Sequence, residues 1–231
     1  MSGGKDSTCM ALMMLERGED IAEFIFCDTG MEFPECYDAL NRFEEITGRK
    51  ITRLKSDKTI MYYASEKEIK FRNGVSTKRD GTPKRKHGYG FPSPLRRWCT
   101  DNLKLRLLKR YKKEHYPDGC MDCIGIALDE PKRIRENPNK RYPLVEYGIT
   151  ENAALEYCKS RGFYLSPCAY DFIPRVSCFC CPLTNLKTIE YLINKRPELW
   201  QRIKEMEKTI GEPWKKLEGR DTDYFERRFT K

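Results

Sequence analysis

The sequence predicts an α/β protein with a mostly parallel, doubly wound sheet, followed by a smaller cysteine-containing helical part. Three observations predict it. The chain opens on a glycine turn that leads into an apolar helix, Ser2-Gly3-Gly4-Lys5-Asp6-Ser7 and onward. Buried-strand and helix patterns then alternate, strand–loop–helix–strand, over the first fifty-odd residues. The first strand runs into Asp28-Thr29-Gly30, and in open α/β sheets ligands gather at the carboxyl ends of strands.

The elements follow in order. Residues 7–17 read as a helix carried by Met10, Leu12, Met13, Met14 and Leu15, with Gly18 just past its end. Residues 21–27 (IAEFIFC) read as a buried strand. Residues 34–48 read as a helix, with Pro34 at its first turn and Gly48 at its close. Residues 51–54 are a second short strand. From 71 to 98 the periodicity dissolves into a long loop. There Lys78, Arg79, Lys84, Arg85, Lys86, Arg96 and Arg97 are opposed only by Asp80, and long loops of this kind are functional or disordered. Residues 103–111 suit a basic amphipathic helix, 123–128 (CIGIAL) a buried strand, and 151–161 and 197–210 two further helices. The expected organisation is a nucleotide-binding α/β domain over 1–165, which includes the basic loop, and a cysteine-bearing helical segment over 166–231.

Composition narrows the function. No apolar run approaches the roughly 18 residues of a spanning helix, so no membrane partner is expected. The opening residues lack the apolar stretch of a signal peptide, so the expected location is cytoplasmic. Lys and Arg number 44 against 35 Asp and Glu, a formal charge of +9. That excess favours an anionic partner, whether a nucleotide, a sulfate ester or a nucleic acid. Eleven cysteines cannot all pair, and in a cytosolic chain motif-spaced cysteines point to metal or catalytic chemistry.

The glycine turn suits an anion. Backbone N–H groups of Gly3 and Gly4 can approach phosphate oxygens because no side chain intervenes. Lys5 is a point charge for the same oxygens, and the Ser2 and Ser7 hydroxyls can donate to them. Asp6 either holds magnesium or caps the helix. Asp28 either binds a ribose hydroxyl or a metal, or caps its own turn. Cys178 and Cys181 form a CxxC, with Cys180 between them and Pro182 after them. Cys120 and Cys123 form another, for which a core position is the simpler reading. His87 and His115 are isolated and carry no expected catalysis.

Several segments together resemble a known family. Ser2-Gly3-Gly4-Lys5-Asp6-Ser7 resembles the pyrophosphatase loop of the adenine nucleotide α-hydrolase, or PP-loop, superfamily. Asp28-Thr29-Gly30-Met31-Glu32-Phe33-Pro34-Glu35 resembles the DTGxxFPE segment of phosphoadenosine phosphosulfate (PAPS) reductases. Gly125 to Arg133, with Glu130, resembles a variant of their GxRxxES segment, and Arg96 to Lys104 their post-loop cysteine region. The resemblance implies an adenine nucleotide site at Ser2, Gly3, Gly4, Lys5, Asp6, Ser7, Asp28, Thr29, Gly30, Gly125, Glu130 and Arg133, with Lys5 and Asp6 catalytic. It implies ATP, or PAPS or APS, with Mg2+. It further implies a [4Fe–4S] cluster at Cys99, Cys178, Cys180 and Cys181, with Cys168 an alternative fourth ligand; four thiolates are equally a zinc set.

Two chemistries share this superfamily. A reductase attacks a sulfonucleotide with a mobile C-terminal cysteine, yet no cysteine follows Cys181 in this sequence. A sulfurtransferase adenylates an acceptor with ATP, releases pyrophosphate and lets sulfur displace AMP. The expectation is the second: a sulfurtransferase acting on tRNA or DNA through the basic loop at 72–97, supplied by a sulfur donor protein. The alternatives are a PAPS or APS reductase and a non-catalytic nucleotide-binding module. In such a fold a strand should precede the glycine loop, so the natural chain is expected to begin roughly five to ten residues upstream of Met1.

Overall fold

The computed structural model describes residues 1–71, 77, 83–215 and 218–230. The chain divides into two compact units, one of Met1–Lys55 with Arg106–Cys178, the other of Ser56–Leu105 with Phe179–Lys231. Part of the basic loop, residues 72–76 and 78–82 with Lys78, Arg79 and Asp80, lies outside the described residues.

In the first unit, β1 (Phe24–Asp28) and β2 (Ile51–Lys55) pair in parallel, with Phe24 opposite Ile51 and Asp28 opposite Lys55. A parallel pair needs a crossover, supplied by α2 (Pro34–Thr47). Pro34 opens that helix, and Gly48, at φ +66°, closes it with its N–H on the Glu44 carbonyl. Before β1 runs α1 (Lys5–Glu16), turned off at Gly18, φ +67°. The Met1 amino group donates to the Ile25 carbonyl, which sets the residues before the glycine turn beside β1.

The core of this unit joins α1, β1 and α2 to α5 (Pro143–Glu146) and α6 (Glu151–Ser160). Cys9, Ala11, Leu40, Phe43, Leu144, Ala154 and Cys158 are all buried in it. Phe24 and Phe43 meet edge to face at 4.9 Å, an arrangement aromatic rings favour. On β2 packs α4 (Arg106–His115). A second parallel pair joins β3 (Asp122–Cys123) to β4 (Lys140–Arg141).

The observed sheet is smaller than the sequence predicts: among the described residues there are two two-stranded parallel pairs, not one doubly wound sheet. The predicted strand at 123–128 is reduced to Asp122–Cys123. The cause is local: Ile126 donates its N–H back to the Ile124 carbonyl, and Leu128 to Ile149, so the chain bends where a ladder would continue. The strand predicted at 21–27 is shifted to Phe24–Asp28.

The second unit is mainly helical, with α3 (Trp98–Thr100), α7 (Leu186–Lys195), α8 (Pro197–Ile210) and α9 (Thr222–Phe229). Trp214 is fully buried and lies edge-on to Trp200 and Phe225. Its indole N–H donates to the Cys180 carbonyl at 3.0 Å, satisfying the one polar atom such burial strands. Residues 103–105, predicted to begin a helix, belong instead to a wider π turn over Asp101–Leu105. No helix among the described residues is long and apolar enough to cross a membrane.

Two glycines with the same backbone sign test how tightly the first unit is built. A Cβ on Gly3, φ +73°, would lie 2.3 Å from the Cys36 carbonyl oxygen, whereas one on Gly30, also at φ +73°, would meet nothing within 4 Å. Gly30→Ala should therefore cost only the left-handed strain, about 1–2 kcal/mol. Gly3→Ala must also displace the Cys36 backbone and should cost clearly more. Urea unfolding of both variants measures the difference; equal midpoints would contradict the close approach.

Candidate functional site

The site is built on the head of α1. Gly4 precedes the helix in an extended conformation, at φ −87° and ψ 159°, and Gly3 passes against Cys36. Serine hydroxyls lock this turn: Ser2 N donates to Ser7 Oγ at 3.0 Å, and Ser7 Oγ donates to the Gly4 carbonyl at 3.0 Å. Tyr164 donates to the Gly3 carbonyl at 2.7 Å, and the Lys5 N–H donates to the Tyr170 hydroxyl at 2.8 Å. That last bond satisfies one of the amides a helix leaves open at its start. Burial drives the pKa of both tyrosines well above the ordinary phenol value, so each stays a neutral hydroxyl.

Lys5 is 4% exposed. Its Nζ lies 3.0 Å from Asp6 Oδ1 and 3.4 Å from Glu151 Oε1. Asp6, Glu130 and Glu151 bring carboxylate oxygens within 4.8 Å of one another. Oxygen donors of this kind suit a hard cation such as Mg2+. The pKa of Asp6 is raised, first by burial; Lys5 opposes the rise, and Glu151 and Glu130 add to it. Glu130 also pairs with Arg133, three residues on. Gly125 stands behind this corner, where a Cβ would lie 2.9 Å from the Ser7 Cα. Only a glycine lets this segment pass so close to the first turn of α1.

A second group of polar contacts lies at the end of β1. Asp28 Oδ1 accepts from the Gly30 N–H at 2.8 Å and from the Tyr37 hydroxyl at 2.7 Å, the turn-capping geometry. Glu32, 5% exposed, accepts from the Thr29 hydroxyl at 2.8 Å and from the Cys178 thiol at 3.5 Å. Burial and the neighbouring Asp28 and Glu32 raise the Tyr37 pKa.

The structure thus brings Ser2, Gly3, Gly4, Lys5, Asp6, Ser7, Gly125, Glu130 and Arg133 to one corner, and Asp28, Thr29 and Gly30 to the end of β1. Of the predicted cysteine set, Cys178 closes the first unit while Cys99, Cys180 and Cys181 belong to the second. Cys180 is buried, and the other three are half-buried. Cys123 of the second CxxC is half-buried against the core of the first unit, and burial pushes its thiol up. Sequence reasoning did not single out Glu151, Glu32, Tyr37, Tyr164 or Tyr170. The only local signal for Glu151 is its place at a helix start, after the Thr150 cap.

The family model described as the phosphoadenosine phosphosulfate reductase domain matches residues 1–116. The chain belongs to this family, a branch of the PP-loop superfamily. It is 26% identical over 239 residues to an uncharacterized protein of Methanocaldococcus jannaschii, covering 92% of this chain and 43% of that one. It is 31% identical over 175 residues to an uncharacterized nin region protein of Escherichia phage lambda, covering 71% and 59%. A second uncharacterized M. jannaschii protein is 25% identical over 226 residues, covering 91% and 47%. The chain therefore spans about half the length of the curated relatives it matches. No solved structure matches it.

The buried Asp6 carboxyl gives a pH signature. A carboxyl whose folded-state pKa is raised leaves stability untouched below its unfolded value, here near 3.8. Stability is then lost as pH rises from there through the higher folded-state value. In chelator, the Tm of the wild type should fall relative to Asp6→Asn across that window. Curves that stay parallel would show that Asp6 ionises as freely folded as unfolded.

Proposed function

We propose that the protein is an ATP-dependent sulfurtransferase that adenylates a nucleic acid and releases pyrophosphate. The observation that carries this reading is the corner where buried Lys5 meets Asp6, Glu130 and Glu151 beside the glycine turn. A triphosphate cleaved between its α- and β-phosphates needs a cation at the departing pyrophosphate. The three carboxylates are the oxygen set for Mg2+, which would supply that charge, and Lys5 is a point charge for the phosphate oxygens. Gly3 and Gly4 keep side chains away from them. Asp28, Thr29 and Gly30 would face the nucleoside.

In this reaction an acceptor oxygen attacks the α-phosphorus, and pyrophosphate leaves with the bonding electron pair. A sulfur nucleophile from a donor protein then attacks the activated carbon and expels AMP. A thiolate set at Cys99, Cys178, Cys180 and Cys181 belongs to the same proposal. Its donor chemistry suits a [4Fe–4S] cluster, with Zn2+ the alternative. The formal charge of +9 supports a polyanionic acceptor. Of the basic loop's described residues, Arg85 is committed internally: its guanidinium donates to the Ile210 carbonyl and pairs with Glu212. Arg96 and Arg97 are exposed.

The match to the reductase family model supports a second reading, reduction of PAPS or APS. Two assays separate the readings, with a nucleotide-binding module giving neither signal. ATP–pyrophosphate exchange is expected from the wild type, and Lys5→Ala should lower it about 10²–10³-fold with the fold intact by circular dichroism. Sulfite release from PAPS without exchange would establish the reductase instead.

Anaerobic purification is expected to yield iron and acid-labile sulfide. Cys178→Ala should lose both and unfold at lower denaturant, because metal binding couples to folding. Iron-free, zinc-bearing protein would remove the cluster and leave a structural metal.

A further inference from the structure

The basic helix α4 carries chemistry that the nucleotide corner does not use. Its ten residues, RLLKRYKKEH, hold five lysines and arginines against one carboxylate, Glu114. Arg106, Lys109, Arg110 and Lys113 are all exposed. Their spacing of three, four and seven residues puts them on one face of a helix. They span about 10 Å along the axis at the 1.5 Å rise of an α-helix.

Other contacts fix the helix from its remaining sides. Tyr111 donates to Glu23 Oε1 at 2.8 Å, and Tyr116, just past the helix, to Glu23 Oε2 at 3.0 Å. Thr52 of β2 donates to the same carboxylate. Burial opposes ionisation of Glu23, but these three hydroxyls hold its carboxyl below the ordinary value, so the anchor is a carboxylate at neutral pH. Lys112 bonds both oxygens of Asp122 at 2.8 Å. Lys112 is thus neutralised there, and the stripe is held on a fixed support.

We propose that this face of α4 docks the phosphodiester backbone of a nucleic acid. The inference rests on the nucleic-acid acceptor of the proposed function and gives that acceptor a surface. Charge complementarity selects the occupant. Four cations over about 10 Å match about three phosphates of one strand, spaced 3.4 Å apart along the helix axis. Contacts of this kind position a nucleic acid without reading its sequence.

The test uses the full chain and fluorescence anisotropy with a short duplex DNA, a single-stranded DNA and a stem-loop RNA, each across a salt series. The variant is Lys109→Ala/Arg110→Ala/Lys113→Ala, and alanine keeps the helix. The control, Lys187→Ala/Lys208→Ala/Arg227→Ala, removes equal charge from exposed positions on α7, α8 and α9. For whichever probe binds, the α4 variant should flatten the slope of log K against log salt by about 2–3, from roughly 0.9 per duplex phosphate or 0.7 per single-strand phosphate. The control should leave the slope near wild type. An unchanged slope in the α4 variant, an equal loss in the control, or binding to phosphatidylserine vesicles with none to the three nucleic acids would overturn the proposal. ATP–pyrophosphate exchange is read in parallel. Its absence, with α4-dependent binding retained, would refute the adenylation and keep the docking surface.

Discussion

Lys5 is the charge around which the first unit is arranged. An ammonium taken almost entirely out of water is tolerated only when carboxylates and hydrogen bonds replace its hydration. Asp6 supplies one carboxylate from the next residue, and Glu151 supplies another from the first turn of α6. For Glu151 to reach Lys5, α6 must lie against α1, and its inward face must be small. Ala154 and Cys158 meet that demand, both fully buried, and the Cys158 thiol donates to the Lys5 carbonyl at 3.4 Å. Gly125 meets a similar demand at Ser7. The glycine turn, the helix pairing and the acidic corner are therefore one packing solution.

What was legible in the sequence is what short-range chemistry decides. Pro34 and Gly48 bracket α2, Pro197 opens α8, and Gly18 turns the chain after α1, because proline and glycine restrict or free φ wherever they stand. The caps of α7 and α9 were also written locally: Asn185 accepts from the Thr188 N–H and Asp221 from that of Tyr224. Both helices were still passed over, since a polar cap without a long apolar stripe is a weak signal. The predicted strand at 123–128 failed for the opposite reason. An apolar run reports burial but not pairing, and Ile126 is buried on a bend.

The site divides the same way. The turn from Ser2 to Ser7, Gly125 and Glu130 could be read because each sits in a compact motif. Glu151, Tyr164 and Tyr170 could not: they join the site across 146 to 165 residues of chain, through tertiary packing alone. Glu32 lay inside a recognised segment, but its hydrogen bond to Cys178 depends on the antiparallel bridge that sets Glu32 opposite that cysteine.

The corner also carries an electrostatic argument about its ligands. Asp6, Glu130 and Glu151 crowd three carboxylates around one lysine and one arginine, and Asp6 already resists ionisation. On the proposed reading, a bare triphosphate would meet these carboxylates at close range and be repelled by them. A dication alone would be drawn in, but it would face the Lys5 ammonium. Together the two cancel: the phosphates screen Lys5 from the cation, and the cation screens the carboxylates from the phosphates. Each ligand then raises the affinity for the other by the same factor, as linkage requires. On that reading a net positive protein can keep an acidic corner in its anion site, because the carboxylates would make nucleotide binding conditional on the metal.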